Sequence, residues 1–197
     1  MRFLLKPSRK KIQGLLRKYT DYPLNYLEEA ASKMDEAPPG YNLDHHRIPL
    51  GKGEVQFEKA KKALRDWRMV ELGWLVMHRP DEPLQEGQVV ASLTRYAFVW
   101  FLNPCRIVFV TEEELEGQEN IVRFAFAYGT LKGHVEQGEE RFYVDWNKIT
   151  NEVHYGVLAF SKPAHILTKL FYPLTRKLQK RFALDSLRAM TRAMQED

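Results

Sequence analysis

One cysteine, Cys105, stands in the whole chain. An internal disulfide and a cysteine-cluster zinc site are therefore excluded, and a reducing compartment fits. Long apolar runs are missing as well. The longest near the N-terminus, Phe3 to Leu5, is too short for the core of a signal peptide and is followed at once by Lys6, Pro7 and Ser8, and nothing approaches a membrane span. A soluble, cytoplasmic protein is expected. No nucleophile elbow, phosphate-binding glycine loop or HExxH pattern occurs, so no familiar catalytic signature is present and no cofactor is implied.

What is present is a chain of 197 residues with 44% apolar content, enough to bury a substantial core. Its net charge of +4 is unevenly divided: residues 1 to 18 hold seven cations and no acid, and residues 163 to 197 hold seven cations against three acids. Two basic ends flank an acidic body. Ordinary solvated helix faces account for such a pattern, and so does attraction to an anionic surface.

Taken in order, Ile12, Leu15 and Leu16 at helical spacing behind Ser8 predict a short amphipathic helix over 8–18. A second helix over Leu24 to Met34 stops at Ala37-Pro38-Pro39-Gly40. Residues 1–40 thus read as a helical extension packed on one domain, 41–197. Tyr41 to Leu50 is extended, with Pro49 favouring an edge position. His45 and His46 are adjacent on that strand and point to opposite faces, which disfavours a shared metal. Gly53 to Trp67 is a helix with Val55, Ala60, Ala63, Leu64 and Trp67 as its apolar stripe.

Six strands are then expected: Met69 to His78, Gln88 to Phe101 ending at the break Asn103-Pro104, Cys105 to Thr111, Ile121 to Tyr128, Glu139 to Trp146 and Glu152 to Phe160. Short links between them argue for an antiparallel meander. From Pro163 the spacing of Ile166, Leu167, Leu170, Leu174, Leu178, Phe182, Leu187, Met190 and Met194 predicts one long helix, kinked at Pro173, with Arg176, Lys177, Lys180 and Arg181 on its polar side. The open face of the meander is the apolar surface it can cover. This element order resembles the helix-grip arrangement of the START-like and Bet v 1-like superfamily. The expected class is α+β, a curved antiparallel sheet wrapped around a long C-terminal helix, with extra N-terminal helices; a six-stranded barrel or a ferredoxin-like pair of repeats is the competing architecture.

Five strings carry a second resemblance: LGW at Leu72 to Trp74, NPCR at Asn103 to Arg106, YGTLKGHVEQGEERF at Tyr128 to Phe142, AFSKP at Ala159 to Pro163 and QKRF at Gln179 to Phe182. They are similar to those of uncharacterised protein family 0548, found in bacteria and plants, although Lys162 stands where that family usually has arginine. The resemblance brings no established activity with it.

The string from Tyr128 to Phe142 concentrates the chemistry. Val122, Phe124, Phe126 and Tyr128 share one strand face, and Glu140 shares a face with Phe142, Val144 and Trp146, so its carboxylate points to the apolar side. A buried carboxylate needs a partner or a proton, and Arg106, beside Val108 and Val110, is the expected partner. Such a pair serves equally as the polar floor of a cavity or as a structural tie. The candidate ligand-binding residues are Tyr128, Thr130, His134, Glu140, Arg106, Trp74 and Phe126. Inner-face aromatics (Trp74, Phe98, Trp100, Phe124, Phe126, Trp146) point to a binding protein for a hydrophobic or lipid-like small molecule held between sheet and C-terminal helix. An enzyme alternative, a hydrolase, cyclase or isomerase, uses His134 and Glu140, with Glu136 and Glu139 as further acid-base candidates. A third reading binds an anionic membrane surface through the basic ends; nucleic acid is disfavoured because those ends lack interleaved aromatics.

Overall fold

The computed structural model describes residues 1–96, 98–115, 117–164 and 172–196. In order the chain forms β1 (Arg2–Phe3), α1 (Arg9–Tyr19), β2 (Asn42–Lys52), α2 (Glu54–Arg65), β3 (Leu75–His78), β4 (Val89–Tyr96), β5 (Val99–Leu115), β6 (Gln118–Thr130), β7 (Glu136–Asn147), β8 (Glu152–Pro163) and α3 (Tyr172–Gln195). One sheet runs in the order β2-β8-β7-β6-β5-β4-β3, with β1 added against β5. From β3 to β8 it is an antiparallel meander of six strands. Pro49 sits on the edge strand β2, next to the irregularity that ends at Gly51.

The sheet has two covered faces. Its inner face presents Phe124 and Phe126 of β6, Phe142 and Val144 of β7 and Tyr155 and Val157 of β8, covered by Phe57, Ala60 and Leu64 of α2 and by Leu187 and Met190 of α3. On the outer face, Ala91, Leu93 and Leu102 lie under Ile12, Leu15 and Leu16 of α1. Ser8 caps α1, its hydroxyl accepting from the Lys11 N–H at 3.3 Å. Further along that face, Val108, Phe109, Ala125, Ala127, Tyr143 and Leu158 form a second outer cluster reached by Ala30.

Several boundaries differ from the sequence expectation. Leu24 to Met34 is not an α-helix; it holds one 3-10 turn, Ala31–Lys33, and Ala30 adopts φ 61°. Its backbone donors at Ala30 and Ser32 are taken by the Glu139 carboxylate, at 2.6 and 3.2 Å, so a tertiary contact replaces the helical ladder. The first meander strand starts only at Leu75, because Arg68–Val70 is a 3-10 turn and Gly73 has a positive φ of 76°. In α2 the buried stripe contains Phe57, while Val55 is exposed.

The expected single strand over Gln88 to Phe101 is a hairpin, β4 to β5, and β5 runs straight through Asn103-Pro104. Pro104 is tolerated there because its missing donor falls in the gap between β1 and β6: Leu102 donates to Met1, and β6 pairing begins at Cys105. This turn leaves Phe98 exposed at the hairpin tip and places Trp100 on the outer face, so neither is an inner-face aromatic. At the C-terminal end, Pro163 does not open a helix but pairs with Glu136 as the last residue of β8. Expected helical positions Ile166, Leu167 and Leu170 lie outside the described residues. Pro173 is the second described residue of α3, a place where a missing backbone donor costs nothing, and the segment before it that the expected kink would join lies outside the described residues.

Candidate functional site

A cavity of about 620 Å³ lies between the inner face of the sheet and α3. Its walls come from alternate residues of successive strands, as the two-residue period of a strand requires: Ser92 and Thr94 of β4, Asn103 and Cys105 of β5, Tyr128 and Thr130 of β6, Glu136 and Glu140 of β7, and Ala159 and Ser161 of β8. Leu178, Gln179, Phe182 and Ala183 of α3 close the other side. Burial raises the Cys105 thiol, which stays protonated in the cavity wall.

Glu140 stands on the floor. Its Oε2 accepts from the Tyr128 hydroxyl, and Oε1 has no hydrogen-bond partner among the described residues. Burial, the dominant effect, pushes the carboxyl up to about 7, while the Tyr128 hydrogen bond acts in the opposite sense and the nearby Glu136 adds to the rise. Glu136 is similarly raised to about 7, first by burial and further by Asp44, against the hydrogen bonds from Gln179. Gln179 Nε2 lies 2.8 Å from each Glu136 oxygen and 2.9 Å from Ser161 Oγ, while its Oε1 accepts from Arg176 at 2.8 Å. Arg176 in turn forks onto both oxygens of Asp44 on β2, with one contact at 2.6 Å. A polar chain, Asp44 to Arg176 to Gln179 to Glu136, thus ties the first turns of α3 to β2, β7 and β8 beside Glu140.

The sequence candidates divide. Trp74, Tyr128, Thr130, His134 and Glu140 all line the cavity. The Thr130 hydroxyl is already engaged, donating to Asn25 Oδ1 at 2.5 Å and accepting from the Gly138 N–H at 3.0 Å. His134 Nδ1 accepts from the Glu136 N–H at 3.0 Å, and burial lowers the ring to about 4, so it is neutral with its proton on Nε2. Trp74 donates to Asp185 of α3 at 3.0 Å. Phe126 is outside the cavity, packed between Trp67 and Phe142 with ring centroids at 5.0 and 5.4 Å.

The expected Glu140–Arg106 pair is not formed. Arg106 donates to the carbonyls of Thr20 and Tyr22, each at 2.7 Å, and caps the C-terminal end of α1 on the outer face. The reason is a β-bulge: the register of β5 slips between Ile107 and Phe109, so Val108 and Phe109 both face outward and the parity counted from Val110 back to Arg106 fails. Glu139 is likewise occupied, its carboxylate accepting from the Tyr26 hydroxyl at 2.8 Å and from the backbone of Ala30 and Ser32.

Residues that sequence reasoning passed over are Asp44, Ser161, Arg176 and Gln179. Ser161 and Gln179 lie within the AFSKP and QKRF strings, their one signal in the sequence; Arg176, which helical spacing puts on the polar side of its helix, faces Asp44 on β2. His45 and His46 do point to opposite faces, His45 lying 2.6 Å from the Tyr143 hydroxyl and His46 lining the cavity. Among the described residues, no group of three His, Cys, Asp or Glu side chains is placed to hold a metal ion.

A curved antiparallel sheet gripping a C-terminal helix around a cavity defines a protein of the helix-grip fold class. Two solved structures show the same fold: a hypothetical protein of Helicobacter pylori, at TM-score 0.55 and 13% identity over 80% of this chain and 95% of that one, and the ZhuI aromatase/cyclase of Streptomyces sp. R1128, at TM-score 0.53 and 9% identity over 79% and 94%. Within that class the chain belongs to the family described as a domain of unknown function, DUF1990, whose model matches residues 25–189. It is 33% identical to a UPF0548 protein of Dictyostelium discoideum over 176 residues, 86% of this chain and 81% of that one. Among the described residues no helix is long and apolar enough to cross a membrane.

Proposed function

We propose that this protein holds a hydrophobic small molecule in the cavity between the sheet and α3, with the Glu140 carboxyl as its polar anchor. The observation that carries this reading is the state of Glu140: it sits on the floor of a cavity of about 620 Å³ with one oxygen on Tyr128 and the other open to the interior. A carboxyl serving only the fold is normally saturated, as Glu139 is by three donors. The volume lies within the roughly 300–1,000 Å³ of small-molecule sites. Leu178 and Phe182 supply the apolar contact, and a protonated Glu140 donates to a carbonyl or hydroxyl of the ligand.

Filling the cavity tests this reading. Ala159 lines the cavity from β8, and Ala159→Phe is expected to weaken binding of an environment-sensitive apolar dye, such as anilinonaphthalene sulfonate, at least about tenfold while leaving the circular dichroism spectrum unchanged. Equal dye binding by a folded Ala159→Phe variant sinks it.

A second reading, a cyclase or isomerase, is favoured by one observation: Glu136 and Glu140 both sit at about 7, where a carboxyl can give and take a proton at neutral pH. The ZhuI protein of the same fold is an aromatase/cyclase by name. A bound molecule whose mass or isomeric form changes after uptake, with the change abolished in Glu140→Gln, separates this reading from simple binding.

A further inference from the structure

Leu4 and Leu5 are 81% and 84% exposed, immediately after β1, and Phe98 is 81% exposed at the tip of the β4–β5 hairpin. The register places them together. Phe3 pairs with Trp100, so Leu4, Leu5 and Phe98 are each within two residues of one paired position. Large apolar side chains at such exposure are costly in water and useful against something apolar.

The ring around this tip is cationic. Lys6 Nζ lies 5.4 Å and the Arg95 guanidinium 5.8 Å from the Trp100 ring centroid, Lys11 Nζ lies 5.0 Å from that of Phe3, and the Arg2 guanidinium lies 6.0 Å from that of Phe101. Behind them α1 adds Arg9, Lys10, Arg17 and Lys18. Among the described residues, the one salt bridge made by the cations of residues 1–18 joins Arg9 to Asp81 at 3.6 Å, with both side chains largely exposed. The charge of Arg2, Lys6 and Lys11 is therefore available to a partner. Apolar side chains projecting from a basic surface match the two layers of an anionic bilayer, acyl chains within and anionic headgroups around.

We infer that the β1 end of the molecule, Leu4, Leu5 and Phe98 within the collar of Arg2, Lys6, Lys11 and Arg95, docks on an anionic lipid membrane surface. Arg2, Arg95 and Phe101 also line the cavity, so docking brings that end of the cavity against the lipid. The inference does not depend on what the cavity holds. A nucleic acid also meets cations, but it offers nothing apolar for two adjacent leucines, which is why the membrane is favoured.

Sedimentation of the full chain with vesicles tests it. Binding is expected to vesicles of phosphatidylcholine containing phosphatidylserine, to be absent with phosphatidylcholine alone, and to fall as salt is raised. Two variants divide the contributions: the triple variant Leu4→Ser, Leu5→Ser, Phe98→Ser, and the double variant Lys6→Glu, Lys11→Glu. Each is expected to lose at least about tenfold in vesicle affinity while keeping the wild-type melting temperature, since the three apolar residues touch solvent and not the core. Unaltered vesicle binding by the triple variant, equal binding to both lipid compositions, no binding to either, or tighter binding to single-stranded RNA than to the anionic vesicles each overturns the inference.

Discussion

At the scale of single residues, the pH dependence of Glu140 offers a direct readout. Its carboxyl is raised from 4.5 to about 7 by burial, so the folded protein holds a proton that the unfolded chain has released over that range. Stability must then fall as pH rises from 4.5 to 7 and level off above it, by on the order of 3 kcal/mol if Glu140 titrates independently. Glu136 contributes in the same direction. Glu140→Gln, which can still accept from Tyr128, is expected to flatten much of this slope and to be more stable than wild type at alkaline pH, while losing ligand affinity. Urea unfolding across this pH range checks it; an unchanged slope contradicts the environment described for Glu140. That Glu140 faces the interior was legible from its two-residue phase with Phe142 and Val144. Its partner was not legible, because a one-residue bulge at Val108 reverses the parity of Arg106 and leaves no mark in composition or spacing.

At the scale of elements, the β7–β8 pair sets the geometry of the site. Gly138 has φ +146°, and a Cβ there would lie 1.9 Å from the Phe160 carbonyl oxygen, so strand and neighbour approach as closely as backbones allow. The same residue donates to Thr130, and Gln137 and Glu136 on one side and Glu139 and Glu140 on the other take their phase from it. Gly138→Ala is expected to destabilise by more than about 3 kcal/mol, measured by chemical unfolding, because the obstacle is backbone and not a flexible side chain. A loss below about 1 kcal/mol would mean the strands can part there at little cost. Elements with strong local signals were legible: α1 behind Ser8, the hairpin at Asn147 to Asn151, and the six-strand count. Less so were those decided by tertiary partners. Leu24 to Met34 has acceptable helix formers but surrenders its donors to Glu139, and Pro104 reads as a break until the gap between β1 and β6 that accommodates it is seen.

At the scale of the whole molecule, one sheet has two dressed faces with different purposes. The outer face is closed by α1 and the segment that follows it, whose Tyr26, Ala30 and Ser32 saturate Glu139 and whose Thr20 and Tyr22 carbonyls accept from Arg106. Over the inner face, α2 and the C-terminal half of α3 build a filled core, while the N-terminal half of α3 spans a cavity whose polar groups are partly unsatisfied. Four of the five sequence strings place residues on the cavity wall: Trp74, Asn103 and Cys105, Tyr128 to Glu140, Ala159 and Ser161; the fifth, QKRF, supplies Gln179, Arg181 and Phe182 from the helix. The architecture was legible from element order, but whether aromatic inner walls fill or enclose space depends on side-chain volumes across three elements, which no linear pattern encodes. Native mass spectrometry of the purified full chain, followed by organic extraction, tests the central claim most directly. The account predicts an apolar small molecule bound one to one, or taken up from a lipid and metabolite extract, and lost in Ala159→Phe. A bare polypeptide mass that stays bare after that incubation would contradict it.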